Sequence, residues 1–297
     1  MAKATNPRAI KRKIRSVSNL KKITKAMEMV SAAKLRRAQE ALAAVRPYAD
    51  QLGRLMGRLQ GQASATEVDA PLLAPRTVRR RAAMVVVTAD KGLCGSYNTN
   101  LLRLADRTVR EIGLPVTLYT VGRKARDHFA KRGESSREHW EGLPPNVGFR
   151  QVREITTGLV SAYLQEEVDE VWVLYTEYVN AITFRPRAVR FLPFEAGSED
   201  EGESAEGGEG GGQWIFEPDP ATIFAQLIPR VIEVRFYRLL LEALASEHGA
   251  RMQAMRNATD NAQELIDTLT LTFNKARQAA ITKELLDIIG GAEGLKG

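Results

Sequence analysis

Cysteine, histidine, aromatic residues and long apolar runs are all scarce in this sequence. Its single cysteine, Cys94, excludes an internal disulfide and a cysteine-built zinc site. The three histidines, His128, His139 and His248, are scattered without metal-ligand spacing. Aromatics make up 6% of the 297 residues although 44% are hydrophobic, a balance that suits long helices packed through Ala, Leu and Met. No apolar run approaches the roughly 18–20 residues of a membrane-spanning helix. The N-terminus, MAKATNPRAIKRKIRS, is basic but has no apolar segment of the secretory kind. A soluble chain follows, with its redox compartment unconstrained.

Charge is present but unevenly placed. The net charge is +7, yet residues 1–60 hold 15 Lys/Arg against 3 Asp/Glu. Residues 195–210 hold 7 acids and no base. A basic arm fits nucleic acid, an anionic membrane, an acidic protein partner or simply a solvated helix face. KRKIR (11–15) and KKITK (21–25) could track a phosphate backbone, but aromatic interleaving is missing and no nucleic-acid fold is visible.

Helical rhythm dominates both ends. Asn6 can cap, Pro7 suits the first helical position, and no proline follows until Pro47. Ile10, Ile14, Val17, Leu20, Ile23, Met27 and Val30 recur every three or four residues, predicting a helix through about residue 60. Asp219-Pro220 offers a second start. From Ile228 to Ala280, alternate steps of three and four meet Ile, Val, Leu, Met, Phe or Ala at twelve of sixteen positions. Arg235, Arg238, His248 and Thr259 are the exceptions. A repeat held that long specifies a coiled-coil seam, and Gly249 inside it costs about 1 kcal/mol. Gly290-Gly291 is the expected end of that helix.

Between the arms, AAMVVVT (82–88), PVTLYTV (115–121) and EVWVLYT (170–176) read as buried strands. Helical stretches near 97–112, 122–132 and 150–167 separate them, so a mostly parallel, Rossmann-like α/β sheet is expected. AITFRPRAVRFLPF (181–194) reads as an exposed strand whose Pro186 suits an edge. The expected anatomy is an N-terminal coiled-coil helix (1–60), an α/β foot domain (76–195), an acidic Gly-rich flexible loop (196–213) and a C-terminal coiled-coil helix (217–297). The two terminal helices should form a long antiparallel coiled coil.

The loop DKGLCGSYN (90–98) follows a strand and precedes a helix, where nucleotide folds hold phosphate. A P-loop needs Lys after its second glycine, but here Lys91 precedes Gly92, and Gly95 is followed by Ser96. The glycines then serve a turn with unusual backbone angles. Cys94 reads as a packed structural thiol, and nothing brings Asp90 and Glu177 together as a carboxylate pair. No catalytic, metal or cofactor site is expected.

IRSVSNLKKITKAMEMVSAAKLRRAQ (14–39), SEHGARMQAMRNATDNAQELI (246–266), FNKARQAAITKELLDIIGGA (273–292) and DKGLCGSYN resemble the gamma subunit of F-type ATP synthases. The resemblance runs from end to end. It implies a non-catalytic central rotor shaft inside a ring of alpha and beta subunits, with the α/β foot contacting the epsilon subunit and the membrane c ring. Proton flow would drive rotation for ATP synthesis, and ATP hydrolysis would drive the reverse. The implied location is peripheral, on the cytoplasmic face of the bacterial plasma membrane or its organellar equivalent. The resemblance implies no cofactor and no nucleic acid. It assigns beta-subunit contacts to Lys22, Lys25 and Met27 on the first helix, and to Arg277, Gln278 and Thr282 on the last. One cysteine cannot supply the regulatory cysteine pair of plastid relatives.

Overall fold

The computed structural model describes residues 6–63, 71–73, 75–144, 147–194 and 220–294. The acidic segment 196–213 and the expected cap Asp219 lie outside the described residues. The chain forms two compact units, one of Met1–Ser31 with Met252–Gly297 and one of Ala32–Arg251.

Two long helices, α1 (Pro7–Ala63) and α5 (Pro220–Gly294), contribute to both units. Asn6 starts α1 as its sequence promises. Its side-chain Oδ1 accepts the Arg8 N–H at 2.9 Å and its carbonyl accepts the Ala9 N–H at 3.0 Å, so two donors of the first turn are satisfied. At the other end α5 does not stop at Gly290-Gly291 but continues to Gly294. A glycine costs a helix only about 1 kcal/mol and does not block its hydrogen bonds, so a glycine pair need not end it.

The larger unit is built on β1 (Ala82–Val87), β2 (Val116–Val121), β3 (Glu138–Trp140), β4 (Glu170–Tyr178) and β5 (Phe184–Leu192). Their order is β3-β2-β1-β4-β5. The first four strands pair in parallel, and β5 runs antiparallel on the edge beside β4. Pro186 thus sits on an edge strand, the position in a sheet that tolerates proline.

Helices cover both faces. Ala83, Val85 and Val87 pack on one side with α4 (Phe149–Leu164), with Leu52 and Met56 of α1, and with the 228–244 stretch of α5. Met84 and Val86 point the other way, to Leu101 and Ala105 of α2 (Tyr97–Ile112) and to Phe129 of α3 (Arg123–Ala130). Burial on both faces is why β1 reads as an unbroken apolar run. The short strand β3, EHW, was not expected; it carries no apolar alternation and is placed by pairing with Tyr119–Val121.

The smaller unit consists of the ends of α1 and α5 lying against each other. Thr24 Oγ1 meets Thr259 Oγ1 at 2.8 Å, and Lys21 Nζ donates to Gln263 Oε1. Partner numbers rise on α5 as they fall on α1, so the two helices are antiparallel. On α5 the stepping read from sequence holds: Met255, Thr259 and Ala262 are buried, and Ile266, Leu269, Phe273, Ala276 and Ala280 are half-buried. On α1 it holds only at first. Ile10, Ile14 and Val17 face the seam, which then runs through Lys21, Thr24, Glu28 and Ser31. Leu20, Ile23 and Val30, expected on the apolar stripe, are each more than half exposed. A heptad seam advances by seven residues, and from Val17 that register reaches Thr24 and Ser31, not Ile23 and Val30.

Candidate functional site

The loop at 90–98 leads into α2, whose Tyr97 N–H is taken by the Cys94 carbonyl at 3.3 Å, and its first residue ties it to the start of α3. Asp90 Oδ1 accepts the Arg123 N–H at 3.0 Å and its Oδ2 accepts the Gly142 N–H at 2.8 Å. Thr88 Oγ1 takes the Ala125 N–H at 2.9 Å, and the Ala89 carbonyl takes that of Lys124. The N-terminal donors of α3, which would otherwise attract an anion, are therefore used by this chain's own oxygens. Gly122, at φ +90°, permits the close approach, since a Cβ there would lie 2.1 Å from the Thr88 carbonyl oxygen.

Only one of the loop's glycines does what was expected of both. Gly95 adopts φ +58°, whereas Gly92 has ordinary angles and Leu93 takes the left-handed conformation at φ +61°. Arg251 of α5 holds the loop in that state, donating to the Lys91 and Gly92 carbonyls while pairing with Glu247 at 2.6 Å. Cys94 is buried, and Asn98 Nδ2 donates to its sulfur at 3.1 Å. Burial pushes its thiol pKa up, against the lowering pull of Arg251. It is a packed thiol. Asp90 and Glu177 have separate partners, Glu177 accepting from Arg187 at 2.8 Å. Among the described residues no group of His, Cys, Asp or Glu is arranged to hold a metal.

The second candidate is the outer surface of the paired helices. Lys22 and Lys25 are exposed and Met27 is half-buried on α1. Lys25 pairs with Glu28 at 3.0 Å, and the Met27 carbonyl accepts the Ser31 hydroxyl at 2.7 Å. Arg277, Gln278 and Thr282 are all exposed on α5. The two groups are not brought together: Lys21 faces Gln263, and Arg277 lies fourteen residues beyond that, about 21 Å along the helix axis.

What the sequence reading missed is how apolar this surface is. Leu20, Ile23, Met29 and Val30 of α1 face outward, as do Leu265, Leu271, Ile281, Leu285, Leu286, Ile288 and Ile289 of α5. The signal was available on part of α5, where Leu265 and Leu271 fall between the three-four steps that mark the seam. Meanwhile the seam itself spends two of its positions on threonine. Among the described residues no helix is long and apolar enough to cross a membrane.

A profile of the family described as ATP synthase matches residues 6–295. The chain is 46% identical over 295 residues to the ATP synthase gamma chain of Symbiobacterium thermophilum, covering 99% of this chain and 100% of that one. It is likewise 46% identical over 289 residues to that of Moorella thermoacetica, covering 97% and 99%. Its fold matches a chain in the cryo-EM structure of the Tetrahymena thermophila mitochondrial ATP synthase central stalk and c ring. The TM-score is 0.61 at 24% identity, over 80% of this chain and 99% of that one.

Proposed function

Because the chain belongs to the ATP synthase gamma chain family, we propose that it is the central rotor of an F-type ATP synthase. It couples proton-driven rotation of a membrane c ring to ATP synthesis on beta subunits, and in reverse it is turned by their hydrolysis. In this reading the paired helices turn inside the ring of alpha and beta subunits. The Rossmann-like sheet unit, with its 3-2-1-4-5 strand order, meets epsilon and the c ring. The segments 1–60, 76–195, 196–213 and 217–297 serve respectively as first helix, foot, acidic linker and second helix. The protein has no catalytic site of its own and lies peripherally on the cytoplasmic membrane face or its organellar equivalent.

One observation carries the reading beyond family membership. The paired helices keep hydroxyls in their seam and turn Leu20, Ile23, Met29, Val30, Leu271 and Ile288 outward. Apolar surface left in water by a lone chain marks a partner's binding face. Spread along the helices, it offers many shallow contacts and no deep anchor, which suits a part that must slide past successive positions. Lys22, Lys25 and Met27, with Arg277, Gln278 and Thr282, are the proposed polar and mixed contacts to beta within that surface.

Truncation separates the parts of this claim. Removing residues after Gly290 should leave ATP hydrolysis and torque close to normal, because the loss is the last turn of α5 and the three residues that follow it. Cutting before Lys275 removes Arg277, Gln278, Thr282 and the seam residues Ala276 and Ala280 together. That complex should assemble but rotate with lower torque. Equal torque from both truncations would remove the polar cluster from force transfer.

A further inference from the structure

Gly249 stands in the interior of α5, where alanine would be about 1 kcal/mol better for the helix. The reason for glycine lies 65 positions earlier. A Cβ built on Gly249 would fall 2.7 Å from Cζ and 2.8 Å from Cε1 of Phe184, the first residue of β5, and 3.9 Å from Leu35 Cδ1 of α1. The ring edge of Phe184 therefore occupies a notch in α5 beside α1. It has company: the Tyr178 ring at the end of β4 packs against it, with centroids 6.3 Å apart and planes at 40°. The Tyr178 hydroxyl in turn accepts a hydrogen bond from the Gln39 side-chain amide of α1.

The turn that carries these rings is itself fixed. Asn180 Oδ1 accepts the N–H groups of Ile182 at 2.9 Å and Thr183 at 2.8 Å, and the Thr183 carbonyl accepts those of Val179 and Asn180. A braced hairpin end thus grips both long helices, α5 by a steric notch and α1 by a hydrogen bond. All of these residues belong to the Ala32–Arg251 unit. Phe184 and Tyr178 are half-buried, and a helix twisting about its own axis would have to drive the walls of the notch against the Phe184 ring, where even a Cβ has no room.

We infer that Phe184 in the Gly249 notch, backed by Tyr178 and Gln39, is a torque-bearing clamp between the sheet and the segments of the two helices that lie in the same Ala32–Arg251 unit. This rests on the rotor reading. Phe184, Tyr178 and Gly249 are positioning residues; they transmit twist and touch no nucleotide.

The test uses the chain assembled with alpha and beta subunits, with a probe on the sheet unit observed during ATP-waiting pauses. Phe184→Ala should widen the angular spread of the probe about twofold, since a packed ring is replaced by a void, while ATP turnover at saturation stays unchanged. Phe184→Leu combined with Gly249→Ala moves volume from β5 to α5 and should return the spread towards the original. An unchanged spread in Phe184→Ala, or a widening that the double variant does not reduce, overturns the clamp. Should Phe184→Ala fail to assemble, Tyr178→Phe loses one hydroxyl and keeps the ring; a wider spread supports the clamp and an unchanged one overturns it. If the unaltered complex hydrolyses ATP without turning its probe, the rotor reading fails and takes the clamp with it. Rotation of the unaltered complex confines any failure to the clamp.

Discussion

Helix α5 lives in two environments although its sequence repeat is continuous. Between Val231 and Gly249 it is buried or half-buried all round: Ile232, Val234, Phe236, Leu240, Leu241, Ala243 and Ala245 are each at most 2% exposed. After Met252 only one stripe is covered, and leucines and isoleucines face outward. The first stretch packs into a core its own chain provides. The second leaves apolar area in water, and burial of such area contributes about 25 cal/mol per Å² wherever it is covered. The first stretch is covered by its own chain, whereas the second leaves a row of apolar side chains uncovered along the paired helices.

The contrast should be plainest in core truncation. Phe236 is fully buried and lies edge-on to Phe191, with centroids 5.7 Å apart. Phe236→Ala should destabilise the chain by about 3–5 kcal/mol in denaturant unfolding, through lost burial and a cavity. A loss under about 1 kcal/mol would mean that this stretch is not a packed core.

Acid should act on the same region. Burial, then the Arg251 and Lys34 charges, lower the His248 pKa from 6.5 to about 4. The folded state therefore binds fewer protons than the unfolded state between those values, so stability falls as pH drops from 6.5 towards 4. The slope approaches about 1.4 kcal/mol per pH unit for one such group. Glu247, raised by burial, acts in the opposite sense, so the informative quantity is the difference from His248→Gln. That variant should show a shallower acid limb in thermal unfolding; parallel limbs would sink the assignment.

In the paired helices the seam hydroxyls should matter less. Thr24 and Thr259 lie within bonding distance of each other, but each hydroxyl has one proton and also has a backbone carbonyl in reach, of Lys21 and Met255 respectively, so one of the two donates to its carbonyl. Replacing both by valine removes both polar partners at once, so stability should change by no more than about 1.5 kcal/mol in either direction. A larger loss in denaturant unfolding would make the pair a principal support of the seam.

The smallest effect is the most telling. Leu271→Ser on the exposed face should shift the unfolding free energy of the chain alone by less than about 0.5 kcal/mol. The same substitution should weaken retention by alpha and beta subunits in a pull-down. Unaltered retention for Leu271, Ile281 and Ile288 changed together would deny the surface a partner role.

How far the sequence was legible follows the same divide. Strands β1, β2 and β4 and helix α2 were readable because burial on both sheet faces writes continuous apolar runs and glycines punctuate them, as Gly113 does at φ +65° after α2. The seam of α5 was readable from its steps. That of α1 was not, because Thr24 and Ser31 occupy seam positions while Ile23 and Val30, one residue earlier, carry the apolar signal to the outside. Gly249 looked like a defect in a helix, since its reason is a ring on a distant strand. Beta-contact residues came from resemblance alone; exposed Lys22 or Gln278 has no local signature that separates contact from solvation.

The most direct test of the rotor account is to assemble this chain with alpha and beta subunits, fix the ring to a surface and attach a bead to the sheet unit. The account predicts stepwise rotation in one direction when ATP is supplied, stopping when ATP is withdrawn. A bead that stays fixed on complexes actively hydrolysing ATP would contradict it.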